Sequence, residues 1–281
     1  MINLKIIVCC HKNDIYKNSD IFMPIHVGKA ISDKELGIIG DNTGDNISSK
    51  NDCYCELTGM YWAWKNLKGV DYIGLCHYRR YFDFNKQGRK VFPLTTVPTE
   101  KFNELNLNLS KNAEKWLKNG GCILAKANHQ HASLFTHYCE GHYSTDIKIL
   151  GDIIRETLPN KYFQAFINTM MKSNRFSPYN MFIMNWGTFD HYCNWLFPLL
   201  EEVERKIDIT YYTPYQKRVF GYLAERLLNL YVHAEQIKLK QFSVLKISDE
   251  PEVDKMSIAK YFARSIIRDL AVRLTVESPT K

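Results

Sequence analysis

The sequence predicts an α/β protein with one buried, mainly parallel sheet flanked by helices. Two short apolar runs, residues 4–10 and 72–76, are rich in strand-forming side chains and short enough to be buried strands. Residues 189–207 instead show helical spacing, with apolar side chains such as Trp195 on one face and glutamates on the other. Open α/β sheets bind their ligands beyond the carboxyl ends of the strands. We therefore expect functional residues directly after the apolar runs.

Composition places the protein among ordinary globular classes. Its 281 residues, 45% hydrophobic and 24% charged, suffice for one large domain or two small ones. No apolar stretch approaches the ~18 residues that span a bilayer, and no signal-peptide core is present, so we expect a cytoplasmic location. The formal net charge of +7 suits a nucleotide diphosphate, an anionic lipid or a nucleic acid. Nucleic acid is the weakest of these, because the basic residues are interleaved with acids and no nucleic-acid motif occurs.

The residues that follow the two apolar runs are His11, Lys12, His77, Tyr78, Arg79 and Arg80. Two adjacent guanidiniums suit a phosphate, because each presents several fixed donors and keeps its charge. The alternative is that Arg79 and Arg80 pair with surface carboxylates. The histidine, the aromatic side chains and the abrupt change in polarity favour a ligand site.

A polar loop and the helix after it supply further candidates. Residues 41–51 are almost wholly turn-forming, which is typical of a ligand-binding loop or of a solvated excursion, and composition alone favours the second. Asp52 is placed to cap a helix that runs to about Leu67 and carries Glu56 in its first turns. Trp62 lies off the apolar face of that helix, where it either stacks on a sugar or packs against the protein.

Cysteines and histidines show no metal-binding spacing. The eight cysteines never form C-x-x-C and are typical of small core residues in a reducing compartment. The four histidines between 129 and 142 include no His-x-x-x-His pair. His142 and Asp146 are four residues apart, so on one helix they would form either an acid–base pair or an ordinary surface pair.

The C-terminal segment, residues 255–274, predicts a basic amphipathic helix. Apolar side chains form one stripe, and Lys260, Arg264 and Arg268 lie on its flank at four-residue steps. Such a helix can lie in an anionic membrane surface or dock on the body of the protein, and the sequence favours neither.

Taken together, these motifs resemble a family of bacterial glycosyltransferases long described only as a domain of unknown function. The resemblance covers roughly residues 3–235. The segments that carry it are residues 41–48, 54–58, 61–66, 71–82, 142–146, 180–184, 192–197 and 218–228.

The resemblance implies a GT-A-like, Rossmann-like α/β sandwich over residues 1–245, followed by the basic tail, residues 246–281. It also implies transfer of a sugar from a nucleotide-diphosphate donor, with UDP as the expected nucleotide, to a lipid-linked oligosaccharide. Capsule, exopolysaccharide or O-antigen synthesis would be the setting, at the inner face of the plasma membrane, and galactose or galactofuranose are the sugars it suggests. The alternative is a non-catalytic sugar-nucleotide-binding or assembly protein of the same fold.

With the resemblance, the candidate residues take roles. The predicted donor-binding residues are His11, Lys12, Asp41, Asn46, His77, Arg79 and Arg80. The predicted candidates for the catalytic base are Asp45, Asp146, His77 and Glu56, with the first two ranked highest. The predicted acceptor-binding residues are Trp62, His142 and Asn180.

The usual Asp-x-Asp motif that holds a divalent metal in such enzymes is absent, and His77 stands where the strand should end in it. We therefore expect an arginine-based diphosphate site that requires no metal. Mn²⁺ or Mg²⁺ is the alternative, with Asp83 and Asn85 as the nearest substitute motif.

Overall fold

The computed structural model of the protein describes residues 2–88, 91–250 and 256–277. Contacts divide the chain into two compact units. The sheet unit comprises Met1–Lys126, Tyr179–Trp195 and Lys238–Pro251. The helical unit comprises Ala127–Pro178, Leu196–Ile237 and Glu252–Lys281.

In the part of the chain that the structure describes, the sheet unit is built on a nine-stranded sheet. Its strands are β1 (Leu4–Cys10), β2 (Phe22–His26), β3 (Tyr72–His77), β4 (Arg80–Phe82), β5 (Leu94–Val97), β6 (Cys122–Ala125), β9 (Phe182–Asn185), β10 (Leu239–Phe242) and β11 (Val244–Ile247). The two strands absent from this series, β7 (Asn128–His129) and β8 (Arg175–Phe176), form a small separate sheet in the helical unit. The apolar runs at residues 4–10 and 72–76 are therefore strands, as predicted.

The large sheet is mixed rather than mainly parallel. Strands β2, β1 and β3 are parallel neighbours, as are β10 with β6 and β11 with β5. Strand β9 runs antiparallel to both β3 and β6, and β4 runs antiparallel to β3 and β11. Strand β1, which has parallel neighbours, and strand β9, which has antiparallel ones, are both buried apolar runs, so hydrophobicity alone did not reveal their direction.

Gly74 lets β3 and β9 approach closely at the centre of this sheet. It pairs with Ile183, and a Cβ at Gly74 would lie 2.8 Å from Ile183 Cγ1 and 2.9 Å from the Phe182 carbonyl oxygen. A larger residue would push β9 away from β3. One apolar core surrounds this crossing, and its central members include Ile6, Val8, Cys76, Ile123 and Ile183.

The helix predicted from Asp52 to Leu67 is interrupted. Helix α1 (Asn51–Tyr54) ends at Cys55, which has φ 53°, and α2 (Leu57–Asn66) begins two residues later. Leu57, Met60 and Ala63 of α2 are buried, as the helical spacing predicts. The interruption places Glu56 at a backbone bend instead of inside a helix.

Helices α1, α2 and α3 (Lys111–Lys118) belong to the sheet unit, which also includes 3₁₀ turns at Lys29–Ile31, Ser48–Lys50 and Thr99–Glu104. Helix α7 (Trp186–Lys206), close to the predicted 189–207, contributes residues to both units.

The helical unit contains the remaining helices. They are α4 (Leu134–Gly141), α5 (Ser144–Thr157), α6 (Asn160–Phe166), α8 (Pro214–Lys217), α9 (Val219–Ala234) and α10 (Ile258–Glu277), with a π-helical turn at Ile167–Met171. No helix among the described residues is long and apolar enough to cross a bilayer.

The predicted division into a domain over residues 1–245 and a tail over 246–281 stays a prediction. Its boundary falls within β11, since Lys246 pairs with Arg80 of β4 and Ile247 with Val97 of β5. The strand therefore ties the start of the predicted tail to the large sheet.

Candidate active site

The carboxyl ends of β1, β2 and β3 lie side by side at one edge of the sheet. Cys10 of β1 pairs with His26 of β2, and Cys9 pairs with His77 of β3. The residues that leave these strands therefore emerge together. This is the edge at which open α/β sheets bind ligands.

A cluster of positive charge stands at this edge, and we call it the cationic lip: His11, Lys12, Tyr78 and Arg79. The Tyr78 ring is its centre, with the His11 ring at 5.3 Å in an edge-on contact and the Lys12 and Arg79 cations at 5.9 Å from the ring centroid. The order of the strands explains why residues far apart in sequence meet here.

Asp14 partly neutralises the cationic lip. Its carboxylate lies 2.8 Å from Arg79 Nη2 and 3.6 Å from Lys12 Nζ, and it is shielded from solvent. Arg79 therefore pairs with the Asp14 carboxylate, as the alternative interpretation expects, and it also interacts electrostatically with Asp249. Lys12 and Arg79 nonetheless place two cations within 5.9 Å of the Tyr78 ring centroid, where they can attract an anion.

Arg80 belongs to a different element from Arg79. Strand β3 ends at His77, a turn contains Tyr78 and Arg79, and Arg80 already pairs in β4. Its guanidinium lies 4.7 Å from the centroid of the Tyr179 ring. Within the described part of the chain, the Nε atoms of Arg79 and Arg80 are buried and have no hydrogen-bond partner.

Three predicted residues are linked beside the lip. The amide nitrogen of Asn180 donates to the Glu56 carboxylate over 2.8 Å, and the carbonyl oxygen of the preceding Tyr179 lies 2.8 Å from Nε2 of His77. The backbone of Glu56 also lies next to β1, because its carbonyl oxygen accepts from the Cys9 thiol at 3.9 Å. Burial and the nearby Glu56 charge raise the pKa of that thiol well above its usual value. Cys9 is thus a neutral core residue.

The backbone around this group adopts rare conformations. Cys55, Tyr179 and Asn180 have φ of 53°, 76° and 52°. Residues other than glycine seldom adopt positive φ, and where they do the surrounding structure must hold them. Such positions concentrate at functional sites. Cys55 precedes Glu56 in the chain, and Asn180 contacts the Glu56 carboxylate.

The polar loop after β2 is organised by Asp41. This fully buried carboxylate accepts from the backbone nitrogens of Gly28 (2.9 Å) and Lys29 (3.1 Å) and from the Ser48 hydroxyl. Gly28 has φ 71° and packs against Asn51 so closely that a Cβ would overlap it. Asp41 therefore holds the loop closed, and its donor-binding role stays a prediction.

The other candidates in this loop have mainly local contacts. Asn46 accepts from Ser48 N at 3.1 Å and donates to the Gly44 carbonyl, which forms a turn. Asp45 is exposed and accepts from the Tyr61 hydroxyl at 3.2 Å. Trp62 is buried and donates to the Thr43 hydroxyl, which agrees with the alternative that it packs against the protein. Their predicted roles in catalysis or binding stay predictions.

The expected pair between His142 and Asp146 does not form. His142 is extended at the end of α4 (φ −141°), so the two residues do not share a helix. Nδ1 of His142 lies 3.2 Å from Gln216 Oε1 and its ring stacks on Tyr222, whereas Asp146 accepts from the Tyr212 hydroxyl at 2.7 Å. Burial lowers the pKa of His142 and raises that of Asp146. Both belong to the helical unit, and their predicted roles stay predictions.

The suggested substitute metal motif is engaged in its own loop. Both carboxylate oxygens of Asp83 accept backbone hydrogen bonds of 2.8 Å from Gln87 and Gly88, and Asn85 donates to carbonyl oxygens of Asn106 and Asn108. No three His, Cys, Asp or Glu side chains converge on a metal-sized site in the described ranges. Asp83 and Asn85 thus hold the backbone of neighbouring loop segments, a role that the sequence did not reveal.

Sequence reasoning left three residues at this edge without a role: Asp14, His26 and Tyr179. The sequence could have identified Asp14, because an acid two residues after Lys12 in the segment that follows β1 is placed to pair with a cation. His26 ends β2 with 1% of its surface exposed, and burial lowers its pKa. No sequence signal identified Tyr179, because its place depends on β9 pairing with β3.

Comparisons with known proteins agree with this architecture. The family model described as a domain of unknown function (DUF4422) matches residues 5–236. Among solved structures, the apo form of the bifunctional glycosyltransferase WbbM is similar, with a TM-score of 0.80 and 31% sequence identity. The match covers 91% of this chain and 48% of that chain, so this chain spans about half the length of WbbM. No curated protein matches the sequence. The similarity confirms the predicted glycosyltransferase-type α/β fold.

Proposed function

We propose that this chain, which belongs to the family described as a domain of unknown function (DUF4422), is a glycosyltransferase. The observation that carries the proposal is the cationic lip at the carboxyl ends of β1 and β3, in a chain whose fold is that of a solved glycosyltransferase. The proposed donor is a nucleotide-diphosphate sugar, with UDP as the nucleotide. The cationic lip would bind the diphosphate of this donor.

The chemistry of the lip supports this donor. A diphosphate leaving group gains negative charge as the bond to the sugar breaks, and fixed cations stabilise that charge. Arg79 presents a rigid fork of donors, and Lys12 adds a point charge beside it. Asp14 pairs with both cations in the absence of a ligand. This pairing orients the two cations and weakens their attraction for the diphosphate.

Glu56 is the proposed catalytic base of an inverting reaction. The acceptor hydroxyl oxygen would bond to the anomeric carbon, its proton would pass to the Glu56 carboxylate, and the bond from that carbon to the phosphate oxygen would break with its electron pair on the diphosphate. The hydrogen bond from Asn180 would keep the carboxylate in one orientation. A retaining reaction needs no base in this position.

We propose that the transfer requires no metal ion. His77 ends the strand where a metal-binding Asp-x-Asp would stand, and the cations of the lip follow it directly. A dependence on Mn²⁺ or Mg²⁺ is the alternative, which activity in EDTA distinguishes.

The proposed acceptor is a lipid-linked saccharide at the inner face of the plasma membrane, in the synthesis of a surface polysaccharide such as capsule, exopolysaccharide or O-antigen. Galactose and galactofuranose are the sugars that the family resemblance favours. Asn180 lies beside the proposed base, which supports its predicted contact with the acceptor, whereas Trp62 is buried.

The ion pair between Arg79 and Asp14 gives a decisive experiment. UDP binding is measured by calorimetry in the presence of EDTA for the wild type, Arg79→Ala and Asp14→Asn. If Arg79 binds the diphosphate, its loss weakens binding by about tenfold to a hundredfold, and Asp14→Asn tightens binding because it removes a competing anion. If Arg79 only anchors the lip, both variants weaken binding alike.

Turnover then separates an enzyme from a binding protein. Release of nucleotide diphosphate from a panel of nucleotide sugars, with a soluble saccharide acceptor, supports the glycosyltransferase. Binding of UDP without release from any sugar would instead identify a non-catalytic sugar-nucleotide-binding protein of this fold.

A further inference from the structure

Helix α10 contacts the rest of the helical unit through its polar side. The Asp269 carboxylate lies 2.7 Å from Nδ1 of His129 and 3.0 Å from Nη2 of Arg175. Arg268 donates to the carbonyl oxygen of His129 over 2.5 Å. Ser265 and Val272, on the same side of the helix, are buried. These contacts fix the rotation of α10 about its own axis.

The opposite side of α10 is apolar and exposed. Six large side chains there are 50–65% exposed: Ile258, Phe262, Ile266, Ile267, Leu270 and Leu274. At 100° per residue they occupy one half of the helix, and at 1.5 Å per residue they extend over about 24 Å. A helix of a globular protein normally buries its apolar face. Helix α10 has the opposite orientation, because its polar side contacts the protein and its apolar side is exposed.

The exposed charge of α10 has one sign. Lys260 and Arg264 are exposed along one flank of the apolar stripe, and Arg273 is exposed near its C-terminal end. The acid Asp269 is engaged on the docked side. Among the side chains of α10 that the structure describes, those facing solvent are therefore apolar or basic.

We propose that this face of α10 binds an anionic phospholipid bilayer, with the helix lying in the plane of the interface. The apolar side chains would enter the boundary of the acyl chains, and Lys260, Arg264 and Arg273 would meet the head groups. A second copy of the chain is a poorer occupant, because pairing two such faces brings like charges together. The inference deepens the proposed function and rests on it in one respect: a lipid-linked acceptor places the reaction at a membrane.

Sedimentation of the full chain with vesicles tests the proposal. Vesicles of phosphatidylcholine containing phosphatidylglycerol should pellet the wild type, and more salt should weaken that binding. Ile266→Asp with Leu270→Asp should reduce the bound fraction at least about tenfold. Lys260→Gln with Arg264→Gln should weaken binding about fivefold for each charge, and only on vesicles that contain phosphatidylglycerol.

Tyr211→Asp is the matched control, because Tyr211 is 89% exposed and lies outside α10. It should sediment like the wild type. The proposal is wrong if Ile266→Asp with Leu270→Asp binds vesicles as well as the wild type does. It is also wrong if the wild type does not bind vesicles and light scattering shows that it forms a dimer, which this double variant dissociates. Unchanged melting temperatures would show that the variants fold.

Vesicle binding is measured without nucleotide or acceptor, so it does not depend on catalysis. Release of nucleotide diphosphate with a soluble acceptor should be unchanged in the α10 variants. Failure of the glycosyltransferase proposal would appear as absent release in the wild type, whatever the vesicles show.

Discussion

Glu56 differs from the other carboxylates predicted to act as base. Its side chain is half-buried and held by Asn180, whereas Asp45 is exposed on a turn and bonded to Tyr61. Asp146 is 1% exposed and bonded to Tyr212, and burial raises its pKa, which leaves less of the carboxylate form at a given pH. A base must reach its proton and have a defined orientation. Glu56 combines these properties best.

Replacing Glu56 by Gln tests this residue with little change in shape. Gln can still accept the hydrogen bond from Asn180 but cannot take a proton. We expect kcat to fall by about 10²–10⁴-fold while the dissociation constant for UDP is unchanged. Steady-state kinetics and calorimetry measure the two quantities. Asp45→Asn is the control and should retain activity; a larger loss there would restore Asp45 as the base.

At the scale of elements, the sequence predicted what depends on local composition. Strands β1 and β3 are apolar runs found where expected, because buried strands need only a short apolar segment. The direction of β9 and its position beside β3 depend on pairing over about a hundred residues, which no local pattern records. This pairing places Tyr179 and Asn180 at the site. The site was therefore predictable where it follows β1 and β3, and not where β9 contributes.

Gly74→Ala should test the close crossing of β3 and β9. The added methyl would meet the Phe182 carbonyl oxygen at 2.9 Å, and a backbone atom of a central strand cannot move aside easily. We expect the free energy of unfolding in urea to fall by about 1–3 kcal/mol. Gly141→Ala is the control, since nothing lies within 4 Å of its added Cβ at the end of α4. Equal effects of the two substitutions would argue against strain at the crossing.

For the whole molecule, the resemblance noticed over residues 3–235 agrees with the family match over 5–236. Strand β11, which contains the predicted boundary at residue 245, was harder to predict. Strand β11 has only four residues and follows β10 after a single residue, yet it pairs with β4 and β5 from distant parts of the chain. Such a strand lacks a local signal of its own, since its partners lie about 150 residues away in sequence. The predicted boundary at residue 245 therefore fell within it.

Two truncations distinguish the roles of β11 and α10. A chain ending at Glu250 retains β11 and lacks α10, so we expect it to keep UDP binding and lose binding to phosphatidylglycerol vesicles. A chain ending at Leu245 also loses Lys246 and Ile247, and with them part of the pairing to β4 and β5. It should unfold at lower urea concentration and bind UDP less well, because Arg80 of β4 pairs with Lys246 next to the lip. Equal stability of the two chains would show that β11 is dispensable, and loss of UDP binding in the longer one would assign α10 a part in the fold of the donor site.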